Sequence, residues 1–275
     1  MNPHARHPAS LVSMVGSLWG HRAHIVQLTR REVIGRYKGS IMGLLWSFLN
    51  PLFMLAVYTF VFSVVFRAKW GIGEESKTAF AVILFAGMIV HAMFADIVNR
   101  APGLILSNVN YVKKVVFPLE TLVAVAAGAA LFHACASLVV LLAVFVAVNG
   151  AVPWTIVFVP LTLLPLLVLG LGMGWIFASL GVFIRDLGQV VGVFTTVLLF
   201  LSPVFFPVSA LPPALRPWIF INPLSFIIEQ TRAVVVWGKL PDFEGLGIYL
   251  AGATVVAWLG YAWFQKTRKG FADVL

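Results

Sequence analysis

Arg36-Tyr37-Lys38-Gly39-Ser40-Ile41-Met42-Gly43-Leu44-Leu45-Trp46-Ser47-Phe48-Leu49-Asn50-Pro51 is where a basic, water-facing segment passes into a long uncharged run. Arg30, Arg31, Glu32, Arg36 and Lys38 lie at or before its start, and no residue from Gly39 to Phe66 is charged. A membrane-spanning helix needs only about 20 apolar residues, because ~30 Å of hydrocarbon is crossed at ~1.5 Å per residue. Lys and Arg favour the cytoplasmic side. The stretch therefore predicts a first span, roughly 40–66, that starts at the cytoplasm.

Composition carries that reading to the whole chain. Of its 275 residues 61% are hydrophobic and 11% charged, where soluble domains carry about 25% charged residues. The mean hydropathy is +0.99. This is the profile of an all-α polytopic membrane protein. The formal net charge of +9 is read as a topology signal, so no nucleic-acid partner is expected. Cys135 is the single cysteine, so an intramolecular disulfide is impossible. Residues 1–10 are polar, with Pro3 and Pro8, and are not followed by a small-residue cleavage site, so no cleavable signal is expected.

Outward from the opening stretch, the N-terminal segment 1–38 forms one unit and 39–275 a transmembrane domain. Leu11, Val15, Leu18, Ile25 and Leu28 recur at near-helical spacing, which predicts an amphipathic helix over 11–35 lying in the membrane interface. Gly35, Gly39 and Gly43 repeat every four residues, which suits equally a closely packed helix face and a flexible entry into the membrane. Further spans are expected at roughly 78–99, 120–148, 155–183, 188–204 and 246–265. The uncharged run from Thr121 to Ile184 is too long for one span, and Asn149-Gly150-Ala151-Val152-Pro153 is its turn. Gly170 and Gly174 make a small-residue face in the fourth span. Span five ends at Ser202-Pro203-Val204-Phe205-Phe206-Pro207, and Pro212, Pro213, Pro217 and Pro223 follow in a region that stays apolar. Prolines this dense break helices, which predicts re-entrant short helices over 205–230. With both ends inside, 13 of the 19 Lys and Arg residues fall on the cytoplasmic side, supporting six spans.

Ionisable groups inside spans are functional candidates by default. Here Asp96 is expected to pair with Arg100, and Glu229 with Arg232, at helical spacing. His91 reads as a hydrogen-bonded interior histidine. No Gly-x-x-x-x-Gly-Lys-Ser/Thr loop, no metal-ligand spacing of His and Cys, and no Ser/His/acid set is present, so neither catalytic residues nor a metal site is expected. Two basic or aromatic clusters stand out instead. Ser107, Asn108, Asn110, Tyr111, Lys113 and Lys114 form a short basic, aromatic segment between spans two and three. Its plainer reading is binding to lipid headgroups. Trp46, Tyr58, Phe205 and Phe206 lie near span ends, where an aromatic belt at the lipid interface is the plainer reading.

Tyr37-Lys38-Gly39-Ser40, then Gly43, Trp46 and Pro51, resembles the first-span signature of ABC-2 type permeases that export polysaccharides: the O-antigen, capsule and teichoic-acid exporters. Asn222-Pro223-Leu224, Arg232, Gly238 and Arg268-Lys269-Gly270-Phe271 are also similar to this family. The resemblance covers nearly the whole chain. It implies a permease that exports a lipid-linked polysaccharide from the cytoplasm across the bacterial inner membrane, with both termini cytoplasmic. It implies a homodimer working with two ABC ATPase subunits, which would bind the ATP and Mg; this chain needs no cofactor and is not itself an enzyme. Ser107–Lys114 would then couple to the ATPase. Arg30, Arg31, Glu32, Arg36, Tyr37 and Lys38 would form an N-terminal gate. Trp46, Tyr58, Pro203, Phe205, Phe206 and Pro207 would line the substrate path and outer gate. A related exporter of drugs or lipids is the alternative. An ion-coupled secondary transporter would need paired midplane charges. A membrane enzyme acting on lipid-linked sugars would need acid and base groups at a span mouth, for which Asp96 and Glu229 are the candidates.

Overall fold

In the computed structural model, which describes residues 8–66, 70, 77–113 and 117–275, every regular element is a helix. α1 (Leu11–Gly20) and α2 (Arg22–Arg36) precede α3 (Trp46–Tyr58), which continues as a wider turn over Thr59–Val65. α4 (Lys77–Leu104) is followed by the short α5 (Val109–Lys113). α6 (Thr121–Asn149) and α7 (Val159–Phe183) form a hairpin. α8 (Leu187–Phe200), α9 (Arg216–Ile219) and α10 (Pro223–Val235) lead to α11 (Phe243–Thr267) and α12 (Phe271–Val274). Among the described residues, five stretches are long and apolar enough to cross a membrane: Gly43–Phe62, Phe80–Leu104, Thr121–Asn149, Trp154–Phe183 and Phe243–Val274. The protein is an all-helical, polytopic membrane protein.

Local chemistry explains where the helices start and stop. Gly150, with φ 79°, closes α6 in a left-handed turn that only glycine adopts freely, its N–H donating to the Val146 carbonyl at 2.8 Å. The Asn222 side chain caps α10 by accepting from Leu224 N, with Pro223 at the first helical position. Asp242 caps α11 by accepting from Gly245 N at 2.9 Å. Arg185 and Asp186 sit in the tight turn between α7 and α8.

α4 is the post of the fold. α6, α7, α8 and α10 pack around it. α7 and α11 meet backbone to backbone: a Cβ on Gly172 would lie 2.7 Å from Ala257, and one on Gly260 would lie 2.2 Å from the Gly172 carbonyl oxygen. Gly170 and Gly174 do make a close-packed face, against Ile97 of α4 and Val123 of α6. The Gly172 contact with α11 lies on the other side of the same helix and was not expected. A third contact of this kind sets Gly181 against Pro102 inside α4, which runs five residues past the predicted end of span two.

Three expectations need correction. The N-terminal helix over 11–35 is two helices, broken at His21, with Ser10 capping the first. Gly35, Gly39 and Gly43 do not share a helix face. Gly39 and Gly43 have φ of 88° and 49°, so they turn the chain between α2 and α3, and a Cβ on any of the three would meet open space. Span five regularly wound is only 14 residues, ending at Phe200 rather than 204. The chain nevertheless follows α4 further. Gly188 shares a cavity wall with Gly103, and Val204 meets the level of Ile83 through a shared partner, Arg232. Gly103 to Ile83 is about 30 Å of helix.

Candidate functional site

The predicted N-terminal gate is set by α2, which runs parallel to α6. Thr29 lies over Gly128, whose missing side chain leaves room for it, and its hydroxyl donates to the Val125 carbonyl at 3.5 Å. Eight residues on, Tyr37 Oη lies 3.5 Å from His133 Nδ1, eight residues further along α6. Between these contacts sits a cluster of four charges. Arg36 donates to Asp96 at 3.2 Å, Arg100 approaches Asp96 at 3.8 Å, and Arg100 pairs with Glu32. The expected Asp96–Arg100 pair is present, but both members also reach α2. Opposite charges balance here, which is how such groups are tolerated beside apolar helices. A cavity of about 180 Å³ lies beneath, walled by Arg36, Asp96, His133 and Ser137 with alanines from α4 and α6. Of the predicted gate residues, Glu32, Arg36 and Tyr37 are brought together; Arg30, Arg31 and Lys38 are exposed on α2 and the turn after it.

The short segment after α4 is helical. The Ser107 hydroxyl donates to the Gly103 carbonyl at 2.7 Å, and the Asn108 amide to the Leu104 carbonyl at 2.9 Å. Both occupy carbonyls that the end of α4 leaves without a donor. Tyr111 stacks on Phe117, ring centres 4.4 Å apart. Asn110 is exposed. Lys113 ends α5, and Lys114 lies outside the described residues, as do residues 1–7 and most of the predicted loop between Arg67 and Lys77. A second cavity, about 210 Å³, opens between α2 and α5, with Leu28, Arg31, Glu32, Asn108 and Tyr111 on its walls.

Phe117 is in turn tied to the C-terminus. Arg268 donates to the Phe117 carbonyl at 2.7 Å and to Glu120 Oε2 at 2.9 Å. Glu120 is buried and also accepts from Ser17 of α1 at 2.8 Å, while its carbonyl takes the Trp175 indole N–H at 2.9 Å. Phe271, fully buried, packs on Phe264 and Phe183. Arg268 and Phe271 thus fasten the C-terminus to the chain that follows α5.

At the opposite end, Pro203 and Val204 are buried, and Phe205 and Phe206 half-buried. Phe205 stacks on Phe62 at 5.6 Å and on Phe200 at 5.7 Å. Phe62 also meets Tyr58 and Phe80, and Phe80 meets Trp70. Tyr58 and Phe205 therefore belong to one aromatic cluster. Trp46 does not: it begins α3, twelve residues or about 18 Å of helix from Tyr58. Beyond Phe206 the chain doubles back. Asn222 donates to the Leu198 carbonyl at 2.9 Å, six residues before Val204, and α10 then climbs beside α4.

The Glu229–Arg232 pair is present at 2.9 Å, yet it is the smaller part of what Arg232 does. Arg232 is fully buried; it donates to the carbonyls of Ile83 and Val204 at 3.0 Å each and to that of Pro203. Its guanidinium lies 4.2 Å from the Trp70 ring centre, and Gly87 leaves the space it fills. The carbonyls freed at the proline break thus find their donor in a side chain. His91, buried, contacts the Thr195 carbonyl at 3.0 Å, as an interior histidine should. Sequence reasoning missed Phe62, Phe200, Trp70 and the Glu120–Arg268 tie. The one available signal was that Glu120 and Arg232 are charges beside long apolar runs.

Comparison with known proteins places this arrangement. The sequence profile of the ABC-2 type transporter family matches residues 23–236. An O-antigen export system permease protein of Myxococcus xanthus is 28% identical over 96% of this chain and 99% of its own length. A polysialic acid transport protein of Escherichia coli is 27% identical over 87% of this chain and 91% of its own. A capsule polysaccharide export inner-membrane protein of Neisseria meningitidis is 26% identical over 92% and 94%. A profile match that takes in the α2 cluster, α5, the aromatic cluster and Arg232 means that the chain belongs to the ABC-2 type transporter family.

Proposed function

We propose that this chain is the membrane-spanning permease of an ATP-driven exporter that carries a lipid-linked polysaccharide, of O-antigen or capsule type, out of the cytoplasm across the inner membrane. The observation that carries the reading is the match along nearly the full length of both chains to relatives named as export permeases of such glycans. In this reading the chain crosses six times, the irregular run from Leu187 to Val204 being the fifth crossing, and both termini are cytoplasmic. It pairs with a second copy and with two ATP-binding subunits, which hold the ATP and Mg.

The parts then have assigned tasks. α5 and the residues before it, with Asn110 and Leu106 turned outward, dock on the ATP-binding subunit. Its thrust reaches the C-terminus through Tyr111, Phe117 and Arg268, and reaches α2 across the cavity they share. The charged cluster at Glu32, Arg36, Asp96 and Arg100 holds α2 closed on α4 and α6. At the outer end Phe205, Phe62 and Tyr58 form an apolar closure, which excludes water and ions, and sugar rings slide over aromatic faces by their C–H sides.

Deleting the gene should abolish the surface glycan and leave its lipid-linked form inside the cell. The purified chain should bring down an ATP-binding subunit. Tyr111→Ala with Lys113→Glu should keep membrane insertion and lower substrate-stimulated ATP hydrolysis in the reconstituted complex. An unchanged surface glycan in the deletion strain would overturn the reading.

A further inference from the structure

We propose that Arg232 is the positioning residue of the outer closure: its guanidinium supplies the donors that the proline-broken end of α8 lacks and so sets where Phe205 stands. This rests on the reading of the aromatic cluster as a closure. The reasoning begins with the backbone. After Phe200 the chain leaves the helix, and the carbonyls of Pro203 and Val204 lose their helical partners. In a continuing helix the Pro203 carbonyl would take the N–H four residues on, but that residue is Pro207, which has none. A buried carbonyl without a donor is costly, more so in a membrane, where water is scarce.

Arg232 meets both carbonyls at once, through Nη1 to Pro203 and Nη2 to Val204, and its Nε donates to the Ile83 carbonyl of α4. A planar fork with fixed donors suits this three-way contact; a Lys ammonium, a point charge on a flexible stem, does not. The space is made for it, because a Cβ on Gly87 would fall 2.8 Å from Nη2. Its charge is met by Glu229 at 2.9 Å and by the Trp70 face at 4.2 Å. Phe205 follows Val204 directly, so fixing the Val204 carbonyl against α4 fixes the direction in which Phe205 leaves, toward Phe62. A helix that merely needed its charge neutralised would require Glu229 alone.

The test uses the full chain in liposomes, with Cys135→Ala removing the native thiol and Phe205→Cys reporting position. Labelling by a membrane-impermeant thiol reagent is timed in folded protein. Arg232→Met should raise the labelling rate at position 205 about tenfold or more, since even one of the charge-assisted hydrogen bonds it loses is worth about that factor. Arg232→Lys should fall between wild type and Met. A control thiol at Ser209→Cys, exposed already, should label at an unchanged rate. Should Arg232→Met fail to fold, Gly87→Ala tests the same point by crowding the guanidinium. An unchanged rate at position 205 in folded Arg232→Met, or in folded Gly87→Ala where Met does not fold, would overturn the proposal. So would a rate that rises equally at 209, since that marks general loosening. Whether Phe205 seals the path is read separately, from solute leak after Phe205→Ala with Phe206→Ala. A tight double variant alongside a raised labelling rate would refute the closure and leave the positioning role standing.

Discussion

Replacing Glu120 with Gln removes the negative charge from a junction of four elements while keeping its shape. The carboxylate side chain is 7% exposed and its partner Arg268 17%. Breaking a buried ion pair by removing one partner costs about 3–5 kcal/mol, because the other charge stays buried. Arg268 keeps the Phe117 carbonyl and some contact with water, so the expected loss is nearer 2–3 kcal/mol. Removing both charges is a different matter. Arg268→Met keeps the stem and leaves no stranded cation, and such paired replacements are often near neutral. The double variant should therefore be more stable than Glu120→Gln alone, with a coupling energy of about 2 kcal/mol. Unfolding of the purified chain in mixed micelles, titrated with a denaturing detergent and followed by tryptophan fluorescence, reads all four corners of the cycle. Trp175 donates to the Glu120 carbonyl and so reports from the junction itself. If the two substitutions simply add, to within about 0.5 kcal/mol, the pair does not hold the C-terminus to the start of α6.

Gly260→Leu should destabilise by about 3 kcal/mol, the upper end of the overpacking range, because its Cβ would strike the Gly172 carbonyl at 2.2 Å; Gly252→Leu, facing open space, is the matched control, and equal stability of the two would refute the close contact of α7 with α11. Asp96→Asn should free Arg36, leave Arg100 held by Glu32 alone and loosen the end of α2, seen as faster motion of a spin label at Gly35→Cys; unaltered motion would mean that Asp96 does not hold that helix. Thiol labelling should find positions Ser209 and Pro213 outside and Ser107 and Leu275 inside, and labelling of Pro213 from the cytoplasm would contradict six crossings. Phe205→Ala with Phe206→Ala should raise small-solute leak in liposomes without ATP, whereas a tight but less stable double variant would show that these rings only anchor the segment.

The long helices were legible because their signals are local. Hydrophobic runs and turn residues placed helices within a few residues of Thr121–Asn149, Trp154–Phe183 and Phe243–Thr267. Gly150 and Asn149 marked the hairpin as a glycine with positive φ must. The N-terminal segment was less legible. Its apolar spacing allowed one helix, and the break at His21 depends on packing that spacing does not encode. Gly35, Gly39 and Gly43 show the limit of a motif: the same spacing serves a helix face or a chain reversal, and only the backbone angles decide. Around Pro203 and Pro207 the break in the helix could be read from the prolines alone. The donor itself could not, because Arg232 lies 28 and 29 residues from the carbonyls it serves. Glu120 was hidden similarly, its partner Arg268 being 148 residues away.

The place of α4 at the middle of the fold has a consequence for where any cargo can travel. Of its most apolar stretch 83% is buried, against 11% for the stretch that includes α3. The body of one chain is thus filled along its axis, with Phe85, Val90, Phe94 and Ile97 packed where a lumen would have to be. Opening a hole there would cost the contacts that hold four neighbouring helices. On the proposed function, a polymer strand would therefore run along the outside of this chain, over the faces that α3 and α8 leave bare.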